Sequence, residues 1–347
     1  MKTLFIILFY CLLSISLFAV YSPFDIDSNL NYSGLPPTYS SVKNIVFSGG
    51  GILGLAYCGA YGELEQRGIA ENIKNYCGVS AGAITAYLCV LGYSAKETTT
   101  LIAGTKFDEF LDSSLSISGM VEKSFWSYWS LAIAPYYINR IYYNKGLCTG
   151  ESIKAWMEAR LVEKGFKKTT TFFQLYYSTN KALFVLATNN SKKRITIFSH
   201  LTTPNVRVVD ALRASMSIPT IFVPVEINGE LYSDGGITDN YPIEIFDKLN
   251  SSGETIGLVL NSKEEILNPK DKEYPNIMEF MMGVADILKN VNNLRYFENQ
   301  KNIDRTIFID TKGISPLSFN LSEENKELLI NNGKSAVIEF FKRRYGQ

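Results

Sequence analysis

Histidine is nearly missing from this chain: among 347 residues there is one, His200. Imidazole is the usual general base and the commonest metal ligand, so its scarcity leaves a His-based catalytic triad a single candidate and argues against a His-rich metal centre. Cysteine is also sparse. Cys11 lies in an apolar N-terminal run, and Cys58, Cys77, Cys89 and Cys148 show no CxxC spacing. That weakens zinc and dithiol redox readings; Cys58, Cys77 and Cys89 fall in apolar patterns that suit buried thiols. Charge of one sign is not in excess, with Lys plus Arg at 34 and Asp plus Glu at 34. Without a basic surplus or a long basic run, a nucleic-acid partner is not expected, and the short clusters at 192–194 and 342–344 read as solvated faces.

What the chain does have is apolar residues, 46% of the total, enough for a sizeable core. Its first twenty residues stand apart: Lys2, then an almost unbroken apolar run from Leu4 to Leu13, then Ile15 to Val20. A secretory signal peptide and a short membrane anchor both fit that pattern, so a secreted or membrane-associated protein is expected. Residues 21–42, rich in Ser, Pro, Tyr and Asn, read as a linker, and residues 43–347 as one domain.

That domain opens on alternating signals. Short apolar strands are expected at 44–47 and 73–77, and helical spacing at 55–67 and 81–91. Strand, helix, strand, helix implies an α/β fold with a parallel sheet covered on both faces. Further strands are expected at 182–187, 194–198, 255–260 and 306–309. Further helices are expected at 208–215, 241–249, 277–290 and 323–341, with Pro219 and Pro224 bracketing a turn or short extended piece.

Three motifs carry chemistry. Ser48-Gly49-Gly50-Gly51-Ile52-Leu53-Gly54 follows the first strand and opens the first helix. Backbone amides there can face a phosphate or the oxyanion of acyl transfer. The spacing is neither GxGxxG nor a P-loop, which weakens the phosphate reading. Gly78-Val79-Ser80-Ala81-Gly82 matches G-x-S-x-G between a strand and a helix, the context a nucleophile elbow requires. Asp234-Gly235-Gly236 follows a short strand and presents a carboxylate at a glycine turn, although a plain Asp-Gly turn reads the same way. Asn240 and Pro242 read as structural.

Taken together, the motifs resemble the patatin-like phospholipase family. The segment Ala214-Ser215-Met216-Ser217-Ile218-Pro219, with Phe222 and Pro224, resembles that family's segment before its Asp-Gly-Gly turn, and the likeness covers roughly residues 43 to 345. The resemblance implies a three-layer α/β/α fold with a mainly parallel central sheet, no metal or other cofactor, and cleavage of fatty acyl esters of phospholipids or neutral lipids. It also implies a Ser80–Asp234 dyad, with an oxyanion hole at Gly49, Gly50, Gly51 and Gly54 and support from Gly78, Gly82, Gly235 and Gly236. Leu53 departs from the pattern, since relatives often carry a basic residue there.

Two rivals stay open: an α/β-hydrolase-type esterase using His200 with an acid such as Asp108 or Asp112, and a catalytically silent lipid-binding protein. The segment 107–147 breaks the strand–helix rhythm with Phe125, Trp126, Tyr128, Trp129, Tyr136, Tyr137, Tyr142 and Tyr143. Such aromatic density suits either packing or a rim that meets a membrane surface.

Overall fold

Alternation along the strands builds two cores. In β1 (Val42–Phe47) Ile45 and Phe47 face one apolar cluster while Val46 faces another. The same switch occurs between Tyr76 and Cys77 of β2 (Asn75–Val79). A strand buried on both faces belongs to a parallel sheet under two helical layers. The computed structural model of the chain describes residues 41–112, 136, 139–267, 277–318 and 320–345, and residues Pro36–Gln347 form one compact unit. The expected signal or anchor and Phe125–Trp129 lie outside the described residues.

β1 runs through the glycine turn and a 3-10 turn, Gly51–Leu55, into α1 (Ala56–Gln66). β2 passes through Ser80 into α2 (Ala81–Val90), followed by α3 (Ala95–Ala103). Next come β3 (Gly146–Cys148), α4 (Glu151–Glu163), α5 (Phe172–Thr179), β4 (Ala182–Asn189), β5 (Arg194–Phe198) and α6 (Val208–Ser215). The chain continues through β6 (Thr220–Phe222), β7 (Val225–Ile227), β8 (Glu230–Asp234), β9 (Glu254–Val259), α7 (Ile277–Phe297), β10 (Thr306–Phe308) and α8 (Glu323–Tyr345).

Pairing follows the order β10-β9-β1-β2-β4-β8-β7, with β5 also on β4. The first five are parallel; β5 and β8 join β4 antiparallel, as β7 joins β8. β3 and β6 form a separate parallel pair. α8 lies along α1 at close range: a methyl on Gly59 would fall 1.8 Å from the Ile330 carbonyl oxygen, and one on Gly333 would fall 1.8 Å from that of Ala56. Glycine at both positions lets these backbones touch.

The mainly parallel α/β architecture agrees with expectation. Several elements differ. The strand expected at 73–77 is Asn75–Val79, because Ala70–Asn72 forms a 3-10 turn. The helix expected at 241–249 contracts to Ile245–Lys248. Tyr241 is fully buried in the core opposite α1, its hydroxyl 2.8 Å from that of Thr306, and the chain makes a turn before the helix, the Ile243 amide donating to the Tyr241 carbonyl. α3, α4 and α5 were not anticipated. Cys58, Cys77, Cys89 and Cys148 are free and buried.

Candidate functional site

The register of β4 brings the two halves of the site together. Leu186 pairs with Val79 of β2 and with Ile197 of β5, while Ala187 pairs with Thr196 of β5 and with Asp234 of β8. A strand has two edges, so β2 and β8 share the edge opposite β5. β2 runs up that edge and ends at Val79, and β8 runs down it and ends at Asp234, one β4 position further on. Ser80 and Asp234 therefore lie where two strands meet end to end. Gly235 confirms the approach, since a methyl there would sit 2.4 Å from the Leu186 carbonyl oxygen and 3.0 Å from a Val79 methyl.

Ser80 caps α2 with φ 51° and ψ −122°, a conformation that L residues rarely adopt. Such strain costs of order 1–3 kcal/mol and persists only where the surroundings impose it. Here its amide donates to Ser215 Oγ at 2.9 Å, and that hydroxyl donates to the Leu186 carbonyl at 2.6 Å. The tight reversal also needs Gly78 and Gly82: a methyl on Gly78 would lie 2.2 Å from the Gly82 oxygen, and one on Gly82 would lie 2.4 Å from the Phe47 oxygen. Ser80 is 7% exposed and stands at the positive end of a ten-residue helix, where an alkoxide is favoured.

Asp234, also 7% exposed, is fixed at every backbone group. Its amide donates to the Ser217 carbonyl at 2.9 Å, and its own carbonyl accepts from Thr188 Oγ1 at 2.8 Å. Its carboxylate accepts from the Gly236 amide at 2.7 Å.

The glycine turn closes over this junction through Asn240. The Gly49 amide donates to the Asn240 carbonyl at 3.2 Å, and Asn240 Nδ2 donates back to the Gly49 carbonyl at 3.2 Å. A methyl on Gly49 would lie 2.5 Å from Asn240 Oδ1 and 3.3 Å from Ser80 Cβ. The same Asn240 oxygen is 2.8 Å from where a Gly236 methyl would stand. Asn240 thus ties all three motifs, a larger part than the structural role expected of it. Gly51, at φ +56°, packs its Cα on the Pro316 carbonyl, and Gly54 faces Ala81. The Ile52 amide donates to Pro316 and the Leu53 amide to Gly50. The Gly50 and Gly51 amides have no acceptor among the described residues.

His200 is not part of this junction. β5 runs antiparallel to β4 on its other edge and pairs Phe198 with Val185, so His200 lies toward the opposite end, roughly 13 Å along the strand from Ala187. Its ring stacks on Tyr176 at 3.9 Å, meets Phe184 edge-on, and burial holds its pKa below the ordinary histidine value. Asp112 is committed elsewhere, accepting from Thr149 Oγ1 and from the Gly150 and Ser152 amides at the start of α4. Sequence reasoning gave no role to Ser215, Ser217 or Arg213. Their segment was noted for its family likeness, but a Ser-x-Ser before a proline carries no spacing rule that assigns hydrogen bonds across the sheet.

Fold and junction define the class: a three-layer α/β/α protein with a strained serine turn, an Asp-Gly-Gly turn and a glycine turn gathered beside the interior strand β4. A patatin-like phospholipase profile matches residues 45–247. The chain is 32% identical over 302 residues to "Uncharacterized protein R571" of Acanthamoeba polyphaga mimivirus, covering 86% of this chain and 93% of that one. It is 26% identical over 308 residues to "Probable lipid hydrolase 463L" of Invertebrate iridescent virus 6, covering 88% and 91%. Among solved structures, VipD from Legionella pneumophila shares the fold, with a TM-score of 0.56 and 20% identity over 88% of this chain and 67% of that one. The chain belongs to the patatin-like phospholipase family and, by that membership, is a carboxylic ester hydrolase of lipid acyl groups.

Proposed function

We propose that the chain cleaves fatty acyl esters of phospholipids or related lipids with Ser80 as nucleophile and Asp234 as its base. The observation that carries this reading is the meeting of Ser80 and Asp234 on one edge of β4, with His200 on the other edge and toward the far end. A serine hydroxyl needs a neighbouring base, and the ionised Asp234 carboxylate accepts the Ser80 proton as Oγ attacks the ester carbonyl. The same proton then goes to the leaving alcohol. In the second half the carboxylate takes a proton from water as its oxygen attacks the acyl-serine, and returns that proton to Ser80 Oγ as the fatty acid leaves.

The tetrahedral oxyanion needs donors with no other acceptor. Gly50 and Gly51 supply the candidate amides; the Gly49 amide is spent on Asn240, and Gly54 serves by its close packing on Ala81. One such donor is worth about 3 kcal/mol in the transition state. Encounter with a membrane surface belongs to the same proposal. The apolar run of residues 1–20 supports it, and so do Tyr142 and Tyr143, 65% and 68% exposed at the end of the aromatic segment.

The test is fatty acid release from phosphatidylcholine vesicles and from a short-chain p-nitrophenyl ester, without added metal. Ser80→Ala and Asp234→Asn are expected to lose activity by roughly a thousandfold or more, and His200→Ala to keep it. Loss in His200→Ala would move the base to imidazole, and no turnover by the parent on either ester would favour a lipid-binding role.

A further inference from the structure

Away from the junction, a cavity of about 550 Å³ opens between the 140–145 segment, the start of α4, and residues 223–226 beside α6. That volume is typical of small-molecule sites. Arg213, on its wall, is 3% exposed. Its guanidinium donates to Ser217 Oγ at 2.8 Å and to the carbonyls of Thr149 and Val223 at 2.7 and 3.2 Å, all neutral oxygens. Arg140, on the same cavity, donates to the Tyr136 hydroxyl at 3.0 Å. The Nε of each guanidinium is buried with no hydrogen-bond partner, and neither has a carboxylate within 4.0 Å among the described residues.

Arg140 and Arg213 line the same cavity. Lys145 adds a third charge. Carboxylates offset part of this charge: Asp112 and Glu151 both act on Arg213. Asp210 is spent on Lys154 at 3.5 Å and on Arg207 at 2.6 Å, while Glu151 and Glu226 are exposed to screening solvent. A buried guanidinium hydrogen-bonded only to neutral oxygens can still take an anion as a direct partner, and its fork matches the oxygens of phosphate.

We propose that this cavity binds a phosphate ester, gripped by Arg140 and Arg213 with Lys145 beside them. The site is linked to the junction by two hydrogen bonds, from Arg213 to Ser217 Oγ and from the Asp234 amide to the Ser217 carbonyl. The phosphate comes either from the headgroup of a lipid substrate, which rests on the hydrolase reading above, or from a free phosphate ester whose binding adjusts Asp234 through Ser217.

The experiment is calorimetric titration of the full-length Ser80→Ala protein, which cannot turn over, with sn-glycerol 3-phosphate and with inorganic phosphate. Arg140→Gln and Lys145→Gln in the same background serve as comparisons, with circular dichroism to verify folding. Binding is expected, weakened about tenfold or more by Arg140→Gln, the effect of removing a charged hydrogen-bond donor. No binding at millimolar ligand, or equal affinity in both folded variants, overturns the proposal. Kinetics on the parent then separate the sources. Competition by glycerol phosphate against phosphatidylcholine but not against p-nitrophenyl butyrate marks a headgroup, whereas a changed kcat on p-nitrophenyl butyrate marks a free effector. A parent that binds phosphate but hydrolyses neither ester defeats the dyad reading and leaves this one standing.

Discussion

Val79 and Asp234 occupy consecutive positions along one edge of β4, opposite Leu186 and Ala187, although 155 residues separate them in the chain. The parallel strand ending at Val79 delivers the strained serine, and the antiparallel strand ending at Asp234 delivers the carboxylate. What holds the junction open for chemistry is the small set of side chains around it.

Ser215 is the first of these. Ser215→Ala leaves the Ser80 amide without its acceptor and the Leu186 carbonyl without its donor. Leaving buried polar groups unpaired costs about 1–3 kcal/mol. A lowered melting temperature is expected, together with a fall in kcat of about two- to twelvefold if half of that cost appears in the barrier. Unchanged kcat with lowered stability would reduce Ser215 to a purely structural brace.

Asn240 is the second. Asn240→Ala removes the donor to the Gly49 carbonyl and the oxygen packed between Gly49 and Gly236. Steady-state kinetics on a short soluble ester should show a lower kcat and little change in KM, because the loss lies in the alignment of catalytic groups and not in contact with the acyl chain.

Two glycine substitutions should move stability in opposite directions. Gly82→Ala forces a methyl to 2.4 Å from one carbonyl oxygen and 2.6 Å from another, so a loss of about 1–3 kcal/mol or more is expected. Gly62→Ala meets only Ala95 Cβ at 3.4 Å, within helix α1, where replacing glycine stabilises by roughly 0.5–1 kcal/mol. Urea unfolding of the two variants beside the parent checks both signs.

The outer end of β8 carries a pH dependence. Lys192, then Asn189 and Tyr232, hold the Glu230 carboxyl down to about 2 from an ordinary 4.5. A depressed folded value means that the stabilisation is fully present above the unfolded pKa and is lost as pH falls from about 4.5 toward 2. Glu230→Gln should therefore lower stability at pH 7 and flatten the drop between pH 5 and pH 2.5. An equal acid drop in both proteins would assign it to other carboxylates.

The sequence by itself determined the strand–turn–helix at Ser80, because the apolar run before it, the glycines two residues to either side and the apolar helix after it are all local signals. It determined the parallel α/β class for the same reason. Ser94 with Glu97 and Thr171 with Gln174 are also local signals, capping boxes that start α3 and α5. The helix expected at 241–249 starts late, at Ile245, where the full burial of Tyr241 and its hydroxyl contact with Thr306 are set by the tertiary structure. Only the tertiary structure decided which of the two candidate bases lies beside the serine turn. Asp234 and His200 both follow short strands, and no local pattern tells which edge of β4 each strand will take. The register of β4 settles it, by setting Ala187 against Asp234 on the edge that β2 vacates and sending His200 down the other. The roles of Ser215, Ser217, Arg213 and Asn240 were hidden for the same physical reason: each acts through contacts between segments whose spacing in the chain carries no information about their distance in space.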